Sequence, residues 1–405
     1  MQILVFNSGS STLKFQLFSA TRSGQLGSQA RGTVSHFGPR ANCDWVLQGI
    51  HQQTLKAIHH HQEAVGWVVD LLQGSSGQGG LLREILGVGH RIVHGGDFFS
   101  APVQITKEVL AGIESLGLLA PLHNTASAQV IRACQRRLGE DIPMVAVFDT
   151  AFHQPLPDYV RAYALPTAWT VPSGIKRYGF HGIAHQYLYE RYLQLSGADP
   201  GISRVITFQL GHGCSVTAIR GGSPVETSMG FTPLEGLIMA TRPGDVDAGI
   251  LLHLAAEGSL SLSQLREGLN HHSGLLGLSG ASADMRELLK LEGEDHPGAK
   301  LAISAFCHRA RKYLGAYLAV LGGVDAVVFG GGIGEHLPQI RARICADMDW
   351  CGLMLDPERN QKADGIEMRI SPKDVSCQVY VIPVDEEFII AQETYRCLWQ
   401  ERKEK

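Results

Sequence analysis

A turn of small residues between two apolar runs occurs twice in this chain, and that repetition limits its architecture more than any other feature. An apolar run at 3–6 enters Asn7-Ser8-Gly9-Ser10-Ser11-Thr12 and leaves through a second run at 13–18. A run at 205–210 enters Gly211-His212-Gly213-Cys214-Ser215 and leaves through 216–219. Turns without bulky side chains bring backbone N–H groups and hydroxyls close to a phosphate. Two copies point to two related domains serving one nucleotide. The 405 residues favour two or three domains, each with its own core.

Between the hairpins the pattern is mixed α/β. Residues 19–53 are polar and weakly patterned, as in meandering strands and loops. Helices are expected at 64–72 and 127–138, and short strands at 87–93 and 143–148. The last of these is apolar throughout, which suits a central strand covered on both faces. In the second half a helix at 187–195 precedes the second hairpin. The clearest helix spans 302–321, with Phe306, Ala310, Tyr313, Tyr317 and Leu321 on one face and Gly322-Gly323 stopping it. A strand at 326–329 runs into a glycine loop at 330–335. A last helix at 386–399 is expected to dock back onto the first domain.

The composition excludes several classes. Net charge is -4, so no basic excess points to nucleic acid or an anionic surface. No apolar run reaches membrane-spanning length, and no leader is evident before the first strand. The eight cysteines show no CxxC pair, which fits reduced thiols in the cytoplasm. The 47 glycines gather in short motifs, as in ligand-cradling loops. The triple His59-His60-His61 does not make a metal site, because adjacent helical residues point about a hundred degrees apart. A solvated or partly packed run is expected there.

Several segments carry chemistry. Lys14, two residues past the first turn, is either a phosphate counter-charge or a surface lysine. His90-Arg91-Ile92-Val93-His94-Gly95-Gly96 sets an Arg fork at a strand end, suited to carboxylate or phosphate oxygens or to a plain salt bridge. His123 and His181 sit in tight turns and, with Arg91 and Arg242, would make a cationic cluster if they converge. The stretch 229–247 is a long run of turn formers around Arg242, a common setting for function. Asp385-Glu386-Glu387 ends an apolar run, where a carboxylate suits Mg²⁺ or stands as a solvated acidic turn.

These motifs resemble those of the acetate kinases, within the superfamily of sugar kinases, heat-shock ATPases and actin. The resemblance covers nearly the whole chain. It rests on residues 7–12 with Lys14, residues 90–96, Leu122-His123-Asn124, Phe148-Asp149-Thr150-Ala151-Phe152-His153, Tyr178-Gly179-Phe180-His181-Gly182 and the block 227–236. Gly332-Ile333-Gly334-Glu335 and Asp385-Glu386-Glu387 complete it.

It implies an α/β fold of two actin-like (ribonuclease H-like) domains with an interdomain cleft. Their expected extents are 1–153 plus 388–405 (acyl and magnesium side) and 154–387 (nucleotide side and dimer interface). It implies reversible phosphoryl transfer from ATP to acetate, giving acetyl phosphate and ADP, in a cytoplasmic homodimer. Asn7 and Glu386 would hold Mg²⁺, with Mn²⁺ as an alternative. Ser10, Thr12 and Lys14 would line the phosphate path. Arg91 would grip the acyl carboxylate, and Asp149 would orient or polarise the reacting groups. His181 and Arg242 would stabilise the transferring phosphoryl, with His123 nearby. Gln209, Leu210, Gly211, His212, Gly213, Asp284, Met285, Arg286, Gly332, Ile333, Gly334, Glu335 and His336 would bind the nucleotide. Val93, Leu122, Phe180 and Pro233 would form the acyl pocket.

Four positions depart from the family pattern. His212 stands for Asn, Cys214 for Ala, Pro243 for Ser, and His336 for Asn. Three of them touch the donor side, so pyrophosphate or another nucleotide is an alternative donor. Propionate or another short acid is an alternative acceptor, and a nucleotide-binding regulator without turnover is the alternative outside enzymes.

Overall fold

The protein is described by a computed structural model covering residues 1–403 except 10, 75–79, 119–123, 257 and 259. The chain divides into two compact units, Met1–Ala151 with Asp385–Lys405, and Phe152–Val384.

The first unit is built on an eight-stranded sheet. Its strands are β1 (Gln2–Ser8), β2 (Thr12–Ala20), β3 (Leu26–Ser35), β4 (Gly38–Leu47), β5 (Ile50–Ile58), β6 (Ile85–Ile92), β7 (Val103–Gln104) and β8 (Met144–Phe148), in the order β5-β4-β3-β2-β1-β6-β8-β7. The second sheet has six strands: β9 (Arg204–Leu210), β10 (Cys214–Arg220), β11 (Ser223–Thr227), β12 (Ala326–Gly330), β13 (Met368–Arg369) and β14 (Gln378–Val381), in the order β11-β10-β9-β12-β14-β13. Both sheets share one plan. An antiparallel meander, β3-β2-β1 or β11-β10-β9, is extended on its first strand by two parallel strands, β6-β8 or β12-β14. This is the ribonuclease H-like arrangement, present twice.

Side-chain alternation sorts the two faces of the first sheet. Leu4, Phe6, Leu13, Phe15, Val88, Ile92, Met144, Ala146 and Phe148 join one core with the helices His61–Gln73 and Asn124–Leu138. The other face takes the C-terminal helix Glu386–Lys403. There β6 carries Gly87 and Gly89, where a Cβ would collide with Leu398 and Thr394, so these glycines let the helix lie close.

The meander expected at 19–53 is present as β3, β4 and the start of β5, and its pattern is weak because most of these residues are exposed or half-buried. One local expectation changes. The glycine loop at 330–335 is a short helix, Gly331–His336, whose first N–H is taken by the Glu335 carboxylate (Gly331 N to Glu335 Oε1, 2.7 Å). The histidine run is partly packed. His60 caps the helix His61–Gln73, and buried His61 bonds the Gly9 carbonyl at 2.8 Å.

Several histidines are buried neutral. Desolvation holds His90 and His153 down to about 3, and His94 to about 4. Their folded values lie below the ordinary one, so between about pH 6.5 and 4 the unfolded chain binds more protons than the folded one. Stability is therefore lost as pH falls through that window, by up to about 1.4 kcal/mol per pH unit for each histidine. Urea midpoints measured from pH 7 to 4.5 should drop steeply below 6.5. A flat profile down to pH 5 would contradict this.

Candidate functional site

Alternation places three polar residues together in the first unit. Asn7, Arg91 and Asp149 stand at or just past the C-terminal ends of the adjacent parallel strands β1, β6 and β8. All three project from the face that carries the C-terminal helix. Ligands in open α/β sheets gather at such strand ends. Arg91 Nη2 lies 2.6 Å from Asp149 Oδ2, and its Nη1 donates to Asn7 Oδ1 at 3.2 Å. Asn7 Nδ2 donates to Glu386 Oε2 at 2.7 Å and to Glu387 Oε1 at 2.8 Å. Burial opposes the Arg91 charge, but Asp149, Glu386 and Glu387 more than offset it and hold the guanidinium above its usual range. Arg91 Nε is buried and meets no acceptor among the described residues. Lys14 is register partner to Asn7, on the same face, and its charge acts on Glu387 and Asp385. Desolvation, with Glu386 and Asp385 adding to it, pushes the Glu387 carboxyl up. Val93 is buried just beyond β6.

In the second unit, His181 precedes the helix Gly182–Ser196 in the left-handed region, with φ 57°. A non-glycine residue there is strained, a condition that clusters at functional positions. Its Nδ1 lies 2.9 Å from Ser215 Oγ. Gly213 shows where His181 and Arg242 meet. A methyl group there would lie 3.2 Å from His181 Nε2 and 2.6 Å from Arg242 Nη2. Arg242 Nη1 donates to the Pro233 carbonyl at 2.8 Å. Burial pulls the Arg242 guanidinium below its usual range, and among the described residues no carboxylate acts on it. Phe180 is buried beside His181.

Nearby lies a cavity of about 500 Å³. Gly211, His212, Asp284, Met285, Arg286, Gly332, Ile333 and His336 line it, with Ala240, Ala283 and Leu337. Burial, then Arg242 and His271, lowers His212 and favours its neutral form. Asp284 caps the helix Met285–Gly293 and pairs with Arg286 at 2.6 Å. His336 Nδ1 lies 2.7 Å from Asp364 Oδ1.

Gln209, Leu210, Gly213, Gly334 and Glu335 stand outside that lining. Leu210 and Gly334 are buried supports, and Gln209 Oε1 is buried without a partner among the described residues. Glu335 is turned inward, accepting from Gly331 N and, at 3.0 Å, from Val384 N. Ser10, Leu122 and His123 lie outside the described residues.

The Acetokinase family model matches residues 2–392. The chain belongs to the acetokinase family. Acetate kinases of Chloroherpeton thalassium and Solibacter usitatus are each 44% identical to it over 98% of its length, covering 99% and 98% of their own. Among solved structures, the acetate kinase of Porphyromonas gingivalis is 39% identical, with a TM-score of 0.89 over 98% of this chain and 99% of that one. A propionate kinase from Francisella tularensis subsp. tularensis is 36% identical, with a TM-score of 0.88 over 97% of this chain and 98% of that one.

In this acetokinase-family chain several supporting contacts were not assigned from the sequence. Glu387 shares Asn7 with Glu386. Arg177 bonds the carbonyls of Thr227, Ser228 and Met229 and pairs with Glu235 at 2.6 Å, fixing the block that leads to Arg242. Fully buried Arg341 bonds Gly334 O and Glu335 O at 2.8 and 3.0 Å and so braces one wall of the cavity. Nothing in the sequence sets Arg341 apart from Arg343, two residues on.

Proposed function

We propose that this chain transfers the terminal phosphoryl group of ATP to acetate, reversibly, giving acetyl phosphate and ADP. The observation that carries the reading is the convergence of His181 and Arg242 at Gly213, close to a nucleotide-sized cavity, in a chain of this family. An acetate oxygen attacks the γ-phosphorus while the bond to the β-phosphate oxygen breaks, and ADP keeps that electron pair. Acetate is already an anion at neutral pH, so the step needs no strong base. It needs positive charge around the equatorial oxygens, which Arg242 supplies, and a hydrogen-bond donor aimed at them, which His181 supplies.

Arg91 would receive the acetate carboxylate. Its unpartnered Nε supports this, as do Asp149 and Asn7 holding its other two nitrogens. In this reading Asp149 orients Arg91 more than it removes a proton. Val93, Phe180 and Pro233 would bound the methyl group, together with Leu122. A one-methylene preference is worth only about 1–3 kcal/mol, so propionate should be a poorer substrate, not a rejected one.

Asn7 and Glu386 fit Mg²⁺ or Mn²⁺. They offer oxygen donors, and the crowded carboxylates of Glu386, Glu387 and Asp385 leave negative charge for a cation to offset. Mg²⁺ ordinarily uses one or two carboxylates and completes its shell with substrate phosphates and water. When bound it would neutralise charge on the polyphosphate. Thr12 and Lys14, with Ser10, would lie along the phosphates.

The cavity favours a nucleoside triphosphate over pyrophosphate. Its Ala240, Met285, Ile333 and Leu337 walls suit a purine, which pyrophosphate lacks. The first unit would thus serve acyl group and metal, and the second the nucleotide. A cytoplasmic setting fits eight cysteines none of which is in a disulfide. Among the described residues, no helix is long and apolar enough to cross a membrane. A homodimer through the second unit would cover the apolar helix Ala248–Ala256, none of whose residues is buried and whose Ile250 and Leu252 are exposed. Sedimentation of wild type and Leu252→Glu tests this, a wild-type monomer counting against it.

The decisive measurement is hydroxamate trapping of acetyl phosphate from acetate, Mg²⁺ and a panel of donors. Acetate with ATP should give the highest specificity constant. Absence of acetyl phosphate with every donor would remove the proposal.

A further inference from the structure

Behind His181 lies a chain of buried polar groups that none of the roles above uses. Ser215 Oγ on β10 lies 2.9 Å from His181 Nδ1 and 2.8 Å from His185 Nε2. His185, one turn further along the helix Gly182–Ser196, has its Nδ1 2.7 Å from Thr207 Oγ1 on β9. His185, Thr207 and Ser215 are each 0% exposed, so no solvent satisfies them. A buried hydroxyl hydrogen without an acceptor is costly, and this gives the chain a direction.

Among the described residues the Thr207 hydroxyl meets one acceptor, His185 Nδ1. It therefore donates there, and the His185 proton sits on Nε2. That N–H can only be given to Ser215 Oγ. The Ser215 hydrogen then has one acceptor left, His181 Nδ1. The reverse polarity would strand the Thr207 hydrogen in the core. Desolvation keeps His185 well below its ordinary value, so it joins the chain as a neutral ring with a single N–H.

We infer that Thr207, His185 and Ser215 are positioning residues, a one-way hydrogen-bond relay that places the proton of neutral His181 on Nε2. That nitrogen is the one that meets Arg242 at Gly213. The relay thus keeps an N–H donor aimed where negative charge develops on the phosphoryl oxygens, and spares His181 a tautomer change during turnover. Arg242, His153 and His185 face this pocket, one cation and two neutral rings. The catalytic meaning rests on the reading that His181 faces the transferring phosphoryl, whereas the tautomer does not.

The test uses the full chain labelled with ¹⁵N-histidine. Two-bond ¹H–¹⁵N spectra at pH 8, with His181 assigned through His181→Gln, report the tautomer directly. Wild type and Thr207→Ser, which keeps the hydroxyl, should show His181 with its proton on Nε2. Ser215→Ala and Thr207→Val, which is isosteric but lacks the hydroxyl, should show a growing Nδ1–H population. Turnover should fall about 10-fold in Ser215→Ala, part of the roughly 10²–10³ lost when a donor to developing charge is removed outright. KM for acetate and for MgATP should stay within about 2-fold, the mark of a transition-state effect. Wild-type His181 protonated on Nδ1 would overturn the relay, as would equal losses in Thr207→Ser and Thr207→Val, which would mean packing alone. If Thr207→Val fails to fold, the wild-type and Ser215→Ala spectra still decide. Expected spectra in a protein with no kinase activity would remove the proposed reaction and leave the relay standing.

Discussion

Arg242→Ala is expected to cut turnover by about 10³–10⁵, the range seen when an arginine that neutralises a transferring phosphoryl group is lost. The same change should leave the fold as stable as before, or more stable. Arg242 gives a hydrogen bond to the Pro233 carbonyl, and burial lowers its affinity for its proton. Among the described residues no carboxylate offsets its charge. A partly buried cation held without a counter-ion costs stability in the free protein, and that cost is repaid only when an anion arrives. Alanine removes both the cost and the recipient. Single-turnover rates together with urea midpoints check the two halves. An activity loss under tenfold would place Arg242 away from the reacting phosphoryl. A stability loss of several kcal/mol would show that the side chain is structural.

The contrast with the first unit explains what could be read from the sequence. The paired hairpins were legible because small residues interrupt apolar runs, and the antiparallel pairings β1–β2 and β9–β10 follow from that pattern. The bounds of β3, β4 and β5 were not, although a meander was expected there, because β5 is exposed along nearly its whole length and β3 is mostly exposed or half-buried. The helix Gly331–His336 reads as a loop because glycines dominate it. Only the Glu335 carboxylate, folded back on Gly331, reveals the cap. Arg91, Asp149 and Asn7 could be named from motifs. Their shared face needs the register of three parallel strands, which joins residues 84 and 58 positions apart. The relay behind His181 leaves a fainter trace. Histidines at 181 and 185 fall one helical turn apart, but Ser215 and Thr207 come from strands 34 and 22 residues away. Short-range patterns carry no record of such contacts. Gly89 and Gly213 look alike in the sequence. One admits a helix, and the other lets an arginine and a histidine approach the same point.

Arg91→Ala should fail in a different way from Arg242→Ala. Asp149 is 0% exposed, and Arg91 is the cation bonded to it at 2.6 Å. Removing the guanidinium takes the 2.6 Å cationic contact away from a buried carboxylate and deprives Asn7 Oδ1 of a donor. Breaking one side of a buried pair typically costs about 3–5 kcal/mol. Activity should fall below about 10⁻³ of wild type, because the acceptor carboxylate loses its fork and Asp149 its orientation. The double variant Arg91→Met, Asp149→Leu separates the two effects. It removes both charges, so it should regain most of the lost stability while staying inactive. Urea midpoints for Arg91→Met, Asp149→Leu and the double variant give the coupling directly. If the double variant is no more stable than Arg91→Ala, the pair is not a charge-compensated unit. If either variant keeps a tenth of wild-type turnover, acetate is held elsewhere.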